Sequence, residues 1–185
     1  MWRTIYVSER LAVSSSAYVP AESNYLRSRY RESMVEHLFI GSLQRHFWDR
    51  GVVEVLKPEV DCAGYDLVLE YDGVIRYVQT KATAEKGKLD FVPLNVHLAE
   101  KPSGCVIVVA HDPTFDPGSF RYGWFGSLPG QPLPEEWKDL KIARHPKGDS
   151  KGVKKEQPNI RKLPYRKFKR GLRLDELAER LFGKR

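Results

Sequence analysis

Cysteine is scarce: Cys62 and Cys105 are the only two in 185 residues. Two thiols make neither a disulfide framework nor a four-ligand zinc site, so both are expected as reduced cysteines in a cytosolic core. Long apolar runs are lacking too. The longest, CVIVVA from Cys105 to Ala110, falls far short of the ~20 residues that cross a bilayer, so no membrane association is expected. The first residues, MWRTIYVSERLAVSSSAYVP, lack a basic start followed by an apolar stretch. No secretory leader is therefore expected, and a cytoplasmic location is. There is no Gly-rich phosphate loop, which counts against an α/β enzyme acting on a small phosphorylated substrate. No internal repeat or low-complexity tract occurs. The five histidines are scattered and have no zinc-like spacing to the cysteines.

What remains is a globular composition, 41% hydrophobic and 30% charged, long enough for one domain (1–185) with a sizeable core. The charge is uneven. The stretch from Lys138 to Arg170 holds thirteen Lys or Arg against three acids, although the whole chain carries only +7. An acidic body with a basic segment is the distribution expected where one region meets a polyanion, so nucleic acid is the expected partner. Lys154, Lys155, Arg161 and Lys162 are the candidate phosphate-binding residues.

The pattern along the chain suggests an α/β or α+β sheet covered by helices. Residues 25–50 lack proline and place Val35, Phe39, Leu43, His46 and Phe47 on one helical face, with Ser23 or Asn24 as N-cap and Gly51 after the last turn. A short strand follows in Val52–Pro58, then a hairpin with strands near Tyr65–Tyr71 and Val74–Lys81. A short helix is expected in Phe91–Lys101, a buried strand in GCVIVVAHD and a fifth strand in Phe120–Ser127. The order is α-β-β-β-α-β-β, with a core at 25–127. Leu128–Pro164, rich in Pro, Gly and Lys, reads as loop or extended surface chain. It belongs to a basic extension, 128–185, that ends in an amphipathic helix over Leu172–Gly183.

The hairpin carries the chemistry. Asp72-Gly73 supplies the positive φ angles of a two-residue turn and sets a register in which Asp66 faces Gln79. Lys81, two residues on, points to the same face. A carboxylate with neighbouring oxygen ligands binds a hard divalent cation, and a lysine beside it orients a nucleophile or stabilises developing negative charge. As a mere surface pair, Asp66 and Lys81 would contribute about 0–1 kcal/mol. HDPTFD after the buried strand, and Trp124 and Phe125 as stacking rings, are weaker candidates that turn chemistry and core packing explain equally well.

GYD with Asp66, QTK with Gln79 and Lys81, and RESMVEHL with Glu32 and Glu36 together resemble the PD-(D/E)xK nuclease superfamily of restriction endonucleases and archaeal Holliday-junction resolvases. The resemblance covers roughly residues 25–110, with Gln79 where glutamate is commoner. It implies a restriction-endonuclease-like core, a mixed central sheet of about five strands flanked by helices. It also implies a metal-dependent endonuclease acting on DNA with Mg²⁺ or Mn²⁺. Asp66 and Glu36 (or Glu32) would ligate the metal, with Gln79 and the Thr80 carbonyl assisting and Lys81 near the attacking water. DNA, and a second copy of the chain in a homodimer, are the partners it allows. The alternative is a nuclease-like module that binds nucleic acid or a protein without cleaving.

Overall fold

The computed structural model describes residues 27–60, 63–145 and 152–184. The expected N-caps Ser23 and Asn24, and Cys62, lie outside them. Helix α1 spans Ser28–Phe47 and buries Val35, Phe39, Ser42, Leu43 and Phe47, the stripe expected from a 3.6-residue period. Gly51, at φ 149°, closes it with its N–H on the Phe47 carbonyl. The chain then forms β1 (Glu54–Leu56), β2 (Leu67–Tyr71), β3 (Val74–Ala84), β4 (Phe91–Asn95), α2 (Val96–Ala99), β5 (Gly104–His111) and β6 (Arg121–Gly126). After these come β7 (Ile142–Arg144), β8 (Glu156–Pro164), β9 (Lys169–Leu172) and α3 (Leu174–Phe182).

The architecture is α+β. A six-stranded sheet runs in the order β1-β2-β3-β5-β6-β9. It is mixed: β3 and β5 pair in parallel and the other neighbours antiparallel. The β2–β3 turn is as expected, with Asp72 at φ 50° and Gly73 at φ 76°. Its register carries Tyr71 opposite Val74 and Leu67 opposite Val78. On one face of this sheet α1 and α3 pack Phe39, Leu43, Leu177 and Leu181 against Leu67, Leu69, Val78 and Ile107. The other face is covered by a three-stranded antiparallel sheet, β4-β8-β7, together with α2. There Val92, Leu94, Leu98 and Leu163 meet Val106, Val108 and Phe125. Strand β5 feeds both cores with alternate residues, which explains why its sequence is apolar without interruption. Complete burial pushes the Cys105 thiol up to about 12.

Two expectations change. Leu128–Pro164 is extended and largely exposed among its described residues, but it is not unpaired chain: it contributes β7 and β8, and β8 is the centre of the second sheet. The core also reaches beyond 25–127 into the basic extension, because β9 completes the edge of the main sheet and Leu163, Phe168, Leu172 and Leu177 lie in the two cores. Among the described residues there are nine strands in two sheets, six of them central, where about five were expected. Among the described residues no helix is long and apolar enough to cross a membrane.

The two ends of the fold are joined by Arg76 of β3. Its side chain is fully buried. Nε and Nη2 donate to the carbonyls of Leu181 (2.6 Å) and Arg180 (2.7 Å) in the last turn of α3, and Nη1 donates to Ser127 (3.0 Å). The guanidinium also lies 5.4 Å from the Trp124 ring centre. A cation at a helix C-terminus satisfies carbonyls that have no partner within the helix.

Candidate active site

Asp66 does not face Gln79. The turn sets the register as far as Leu67 opposite Val78, but the Asp66 N–H also bonds the Val78 carbonyl, at 2.8 Å. Two residues therefore meet one, which is a β-bulge, and a one-residue slip turns a side chain to the other face. The Asp66 carboxylate swings to Thr80, accepting its backbone N–H at 2.6 Å and its hydroxyl at 3.1 Å on Oδ2. Gly64 permits this entry. It sits at φ 76°, and a Cβ there would meet the Asn95 side chain at 2.3 Å. Gly64→Ala should therefore cost about 2–3 kcal/mol of stability. Equilibrium urea unfolding measures it, and a loss below 0.5 kcal/mol would mean that the entry is not constrained.

Helix α1 brings the second carboxylate. Glu32 and Glu36 are four residues apart and so share a helix face. Glu36 Oε2 lies 3.4 Å from the Thr80 hydroxyl, and Oε1 accepts from Lys57 at 2.5 Å. Glu32 forms an ion pair with Lys81. Glu32, Glu36, Asp66, Thr80 and Lys81 all line one cavity of about 250 Å³ between α1 and β3. One threonine hydroxyl thus lies between two carboxylates, with a lysine at the rim. In an extended strand the N–H and C=O of a residue point to the same side, so the Thr80 carbonyl shares the Asp66 edge.

Gln79 stands outside this group. Alternation along β3 turns it toward the second sheet, where Nε2 donates to the Pro93 carbonyl at 2.7 Å. Its Oε1 is buried without a hydrogen-bond partner. Gln79→Glu, which on the expected register would add a metal ligand, should instead oppose a carboxylate to that carbonyl. We expect a loss of about 1–3 kcal/mol and no gain in metal affinity. Thermal melts and calorimetric Mg²⁺ titrations check both outcomes.

The remaining candidates fall away from the cavity. Asp112 accepts the N–H (3.0 Å) and hydroxyl (2.8 Å) of Thr114, and Asp116 caps the turn at Gly118, so HDPTFD is a turn. Trp124 and Phe125 are core residues. His37 is exposed on α1 and bonds the Ser33 carbonyl. Burial and the Arg50 cation lower the pKa of His46, which lines a gap between α1 and α3. Lys154 and Lys155 precede β8, and Arg161 and Lys162 lie within it, in the layer opposite α1. These four residues are therefore not beside the carboxylates, and none of them lines that cavity.

No family model matches the chain, and no curated protein or solved structure matches it significantly. What the cavity does must be read from its own side chains. Among the described residues no three His, Cys, Asp or Glu side chains group as a ligand set. Two carboxylates and a hydroxyl are nonetheless hard oxygen donors, and Mg²⁺ keeps several waters and needs only one or two carboxylates. The donor set fits such an ion. Lys57 and the Thr80 hydroxyl were not apparent in the sequence. Lys57 arrives there because Leu56 pairs with Val68, which returns the end of β1 to the start of β2.

Proposed function

We propose that the protein is a metal-dependent phosphodiesterase of the restriction-endonuclease-like type, cleaving DNA at the cavity between α1 and β3. The observation that carries this reading is the approach of the Asp66 and Glu36 carboxylates to the single Thr80 hydroxyl, at 3.1 and 3.4 Å, with Lys81 lining the same cavity. Asp66 and Glu36 would hold Mg²⁺ or Mn²⁺, and the Thr80 carbonyl is a further oxygen on that side. When bound, the ion neutralises phosphate charge and lowers the pKa of a bound water.

The chain's own contributions follow from its contacts. Thr80 fixes the Asp66 carboxylate through two hydrogen bonds, which removes the rotamer freedom a ligand would otherwise lose. Glu32 holds the Lys81 ammonium at the rim, where it donates to a phosphoryl oxygen or to the attacking water. Water attacks phosphorus and gives up a proton to solvent as the new P–O bond forms, the ester P–O bond breaks, and the leaving oxygen takes a proton from solvent. No covalent enzyme intermediate is required.

The test is cleavage of plasmid, linear duplex, junction and single-stranded DNA with Mg²⁺ or Mn²⁺, and again in excess EDTA. Cleavage that stops on metal removal and returns on its restoration is the expected result. Cleavage undiminished by EDTA overturns the reading. Binding without cleavage under any metal favours the non-cleaving module, in which the ion pairs of Lys57 with Glu36 and Lys81 with Glu32 are purely structural.

A further inference from the structure

A second cavity, of about 480 Å³, lies on the three-stranded sheet and takes in Phe91, Lys141, Lys162 and Arg166. Val92 and Leu163 point into the core, so alternation puts Phe91 and Lys162 on the outer face of that sheet. Phe91 is 38% exposed, and the Lys162 ammonium stands 5.0 Å from its ring centre. Among the described residues Lys141, Lys162 and Arg166 have no carboxylate partner, whereas Glu136 at the same rim is paired with Lys167 at 2.7 Å. Asp90 and Asp139 also border the cavity. They disfavour a bare polyanion. A nucleotide resolves the conflict, with its flat base on Phe91 and its phosphates on the unpaired cations. The walls are held together by main-chain bonds from Lys162 N–H to the Lys141 carbonyl (2.8 Å) and from Tyr165 N–H to the Asp90 carbonyl (3.0 Å).

This cavity and the carboxylate cavity lie on opposite sides of the central sheet, and the chain itself joins them. Strand β3 leaves Lys81 at the carboxylate rim, and the connection to Phe91 carries Lys86 and Lys88, both exposed. A ligand touching both cavities must turn around the end of the sheet. Duplex DNA, with a persistence length of about 50 nm, bends so sharply only at high cost. A single strand does so freely.

We infer that the protein binds single-stranded DNA along this path. One base stacks on Phe91, the flanking phosphates lie on Lys141, Lys162 and Arg166, and the strand continues over Lys88 and Lys86 toward Lys81. Only the strand's destination, the carboxylate cavity, rests on the nuclease reading.

The experiment is fluorescence anisotropy in EDTA, so that binding is read without cleavage. The probes are a fluorescein-labelled 20-nucleotide oligo(dT) and the same strand annealed to oligo(dA). The single strand should bind at least about tenfold more tightly than the duplex, and Phe91→Ala should weaken it about 5- to 100-fold. Phe91→Trp should restore binding, which a merely structural role for the ring does not require. The double variant Lys86→Gln, Lys88→Gln should flatten the log–log salt slope by about 0.7 per lost phosphate contact. Equal or tighter duplex binding overturns the inference, as does unchanged affinity in a folded Phe91→Ala protein. Single-strand binding without any cleavage removes the nuclease reading alone. Cleavage without single-strand preference removes this inference alone.

Discussion

Arg76→Met should lower the unfolding free energy by about 3–5 kcal/mol in urea titrations. Methionine fills much of the same volume, so the loss isolates the polar contacts. Arg76 is fully buried, and its donors reach three carbonyls, of Arg180, Leu181 and Ser127. Burial pulls the guanidinium below its usual pKa, yet a guanidinium stays charged at neutral pH. Removing it leaves carbonyls at the end of α3 without a partner, and an unsatisfied buried acceptor costs about 1–3 kcal/mol. Arg76→Lys should recover only part of the loss. Three donors on one nitrogen cannot match a planar fork whose nitrogens reach separate acceptors. A loss below 1 kcal/mol for Arg76→Met would show that desolvation of the cation cancels its hydrogen bonds.

Asp66→Asn should reduce metal-dependent cleavage by about 10³-fold or more, because the charge that holds the cation is gone while the shape is kept. The asparagine oxygen can still accept from the Thr80 N–H, which now bonds Oδ2 at 2.6 Å, so the melting temperature should change little. Lys81→Ala should slow turnover while leaving calorimetric Mg²⁺ binding intact, since an ammonium is not a ligand. The pair of variants separates holding the metal from acting on the phosphate. Full cleavage by Asp66→Asn would place the chemistry elsewhere in the molecule.

The most local features were those legible in the sequence. The α1 stripe, the Asp72-Gly73 turn and the uninterrupted β5 run each depend on neighbours a few residues away, and each occurs where periodicity places it. β7 and β8 were hidden by composition. Their exposed residues, Ile142, Arg144, Glu156, Pro158 and Asn159, mix apolar, charged and proline, and β8 finds its partner β4 some seventy residues earlier, so no local alternation marks them as strands. The site failed for a subtler reason. Asp66, Lys81 and a helix glutamate do line one cavity, but the route differs from the one the turn implies. Extending the hairpin register past Leu67 assumes an unbroken ladder. The positive φ of Gly64 and the pull of the Thr80 N–H on the carboxylate introduce a bulge instead. A bulge of this kind leaves no compositional trace. It exchanged Gln79 for Thr80 as the neighbour of Asp66.

The bonds from Arg76 to Arg180 and Leu181 span more than a hundred residues, and they bear on how the protein is made. During synthesis, β3 leaves the ribosome long before its acceptors do. Until residues 169–182 emerge, the main sheet lacks its edge strand β9, and α3 is absent from the face that Leu177 and Leu181 cover. An unpaired sheet edge and an open apolar face are the features that draw a nascent chain into aggregation. Folding of these two cores is therefore expected to complete only after residues 169–182 are free of the ribosomal tunnel. Slow decoding just upstream of them would lengthen the period of exposure and lower the yield of folded protein, with no change in any amino acid.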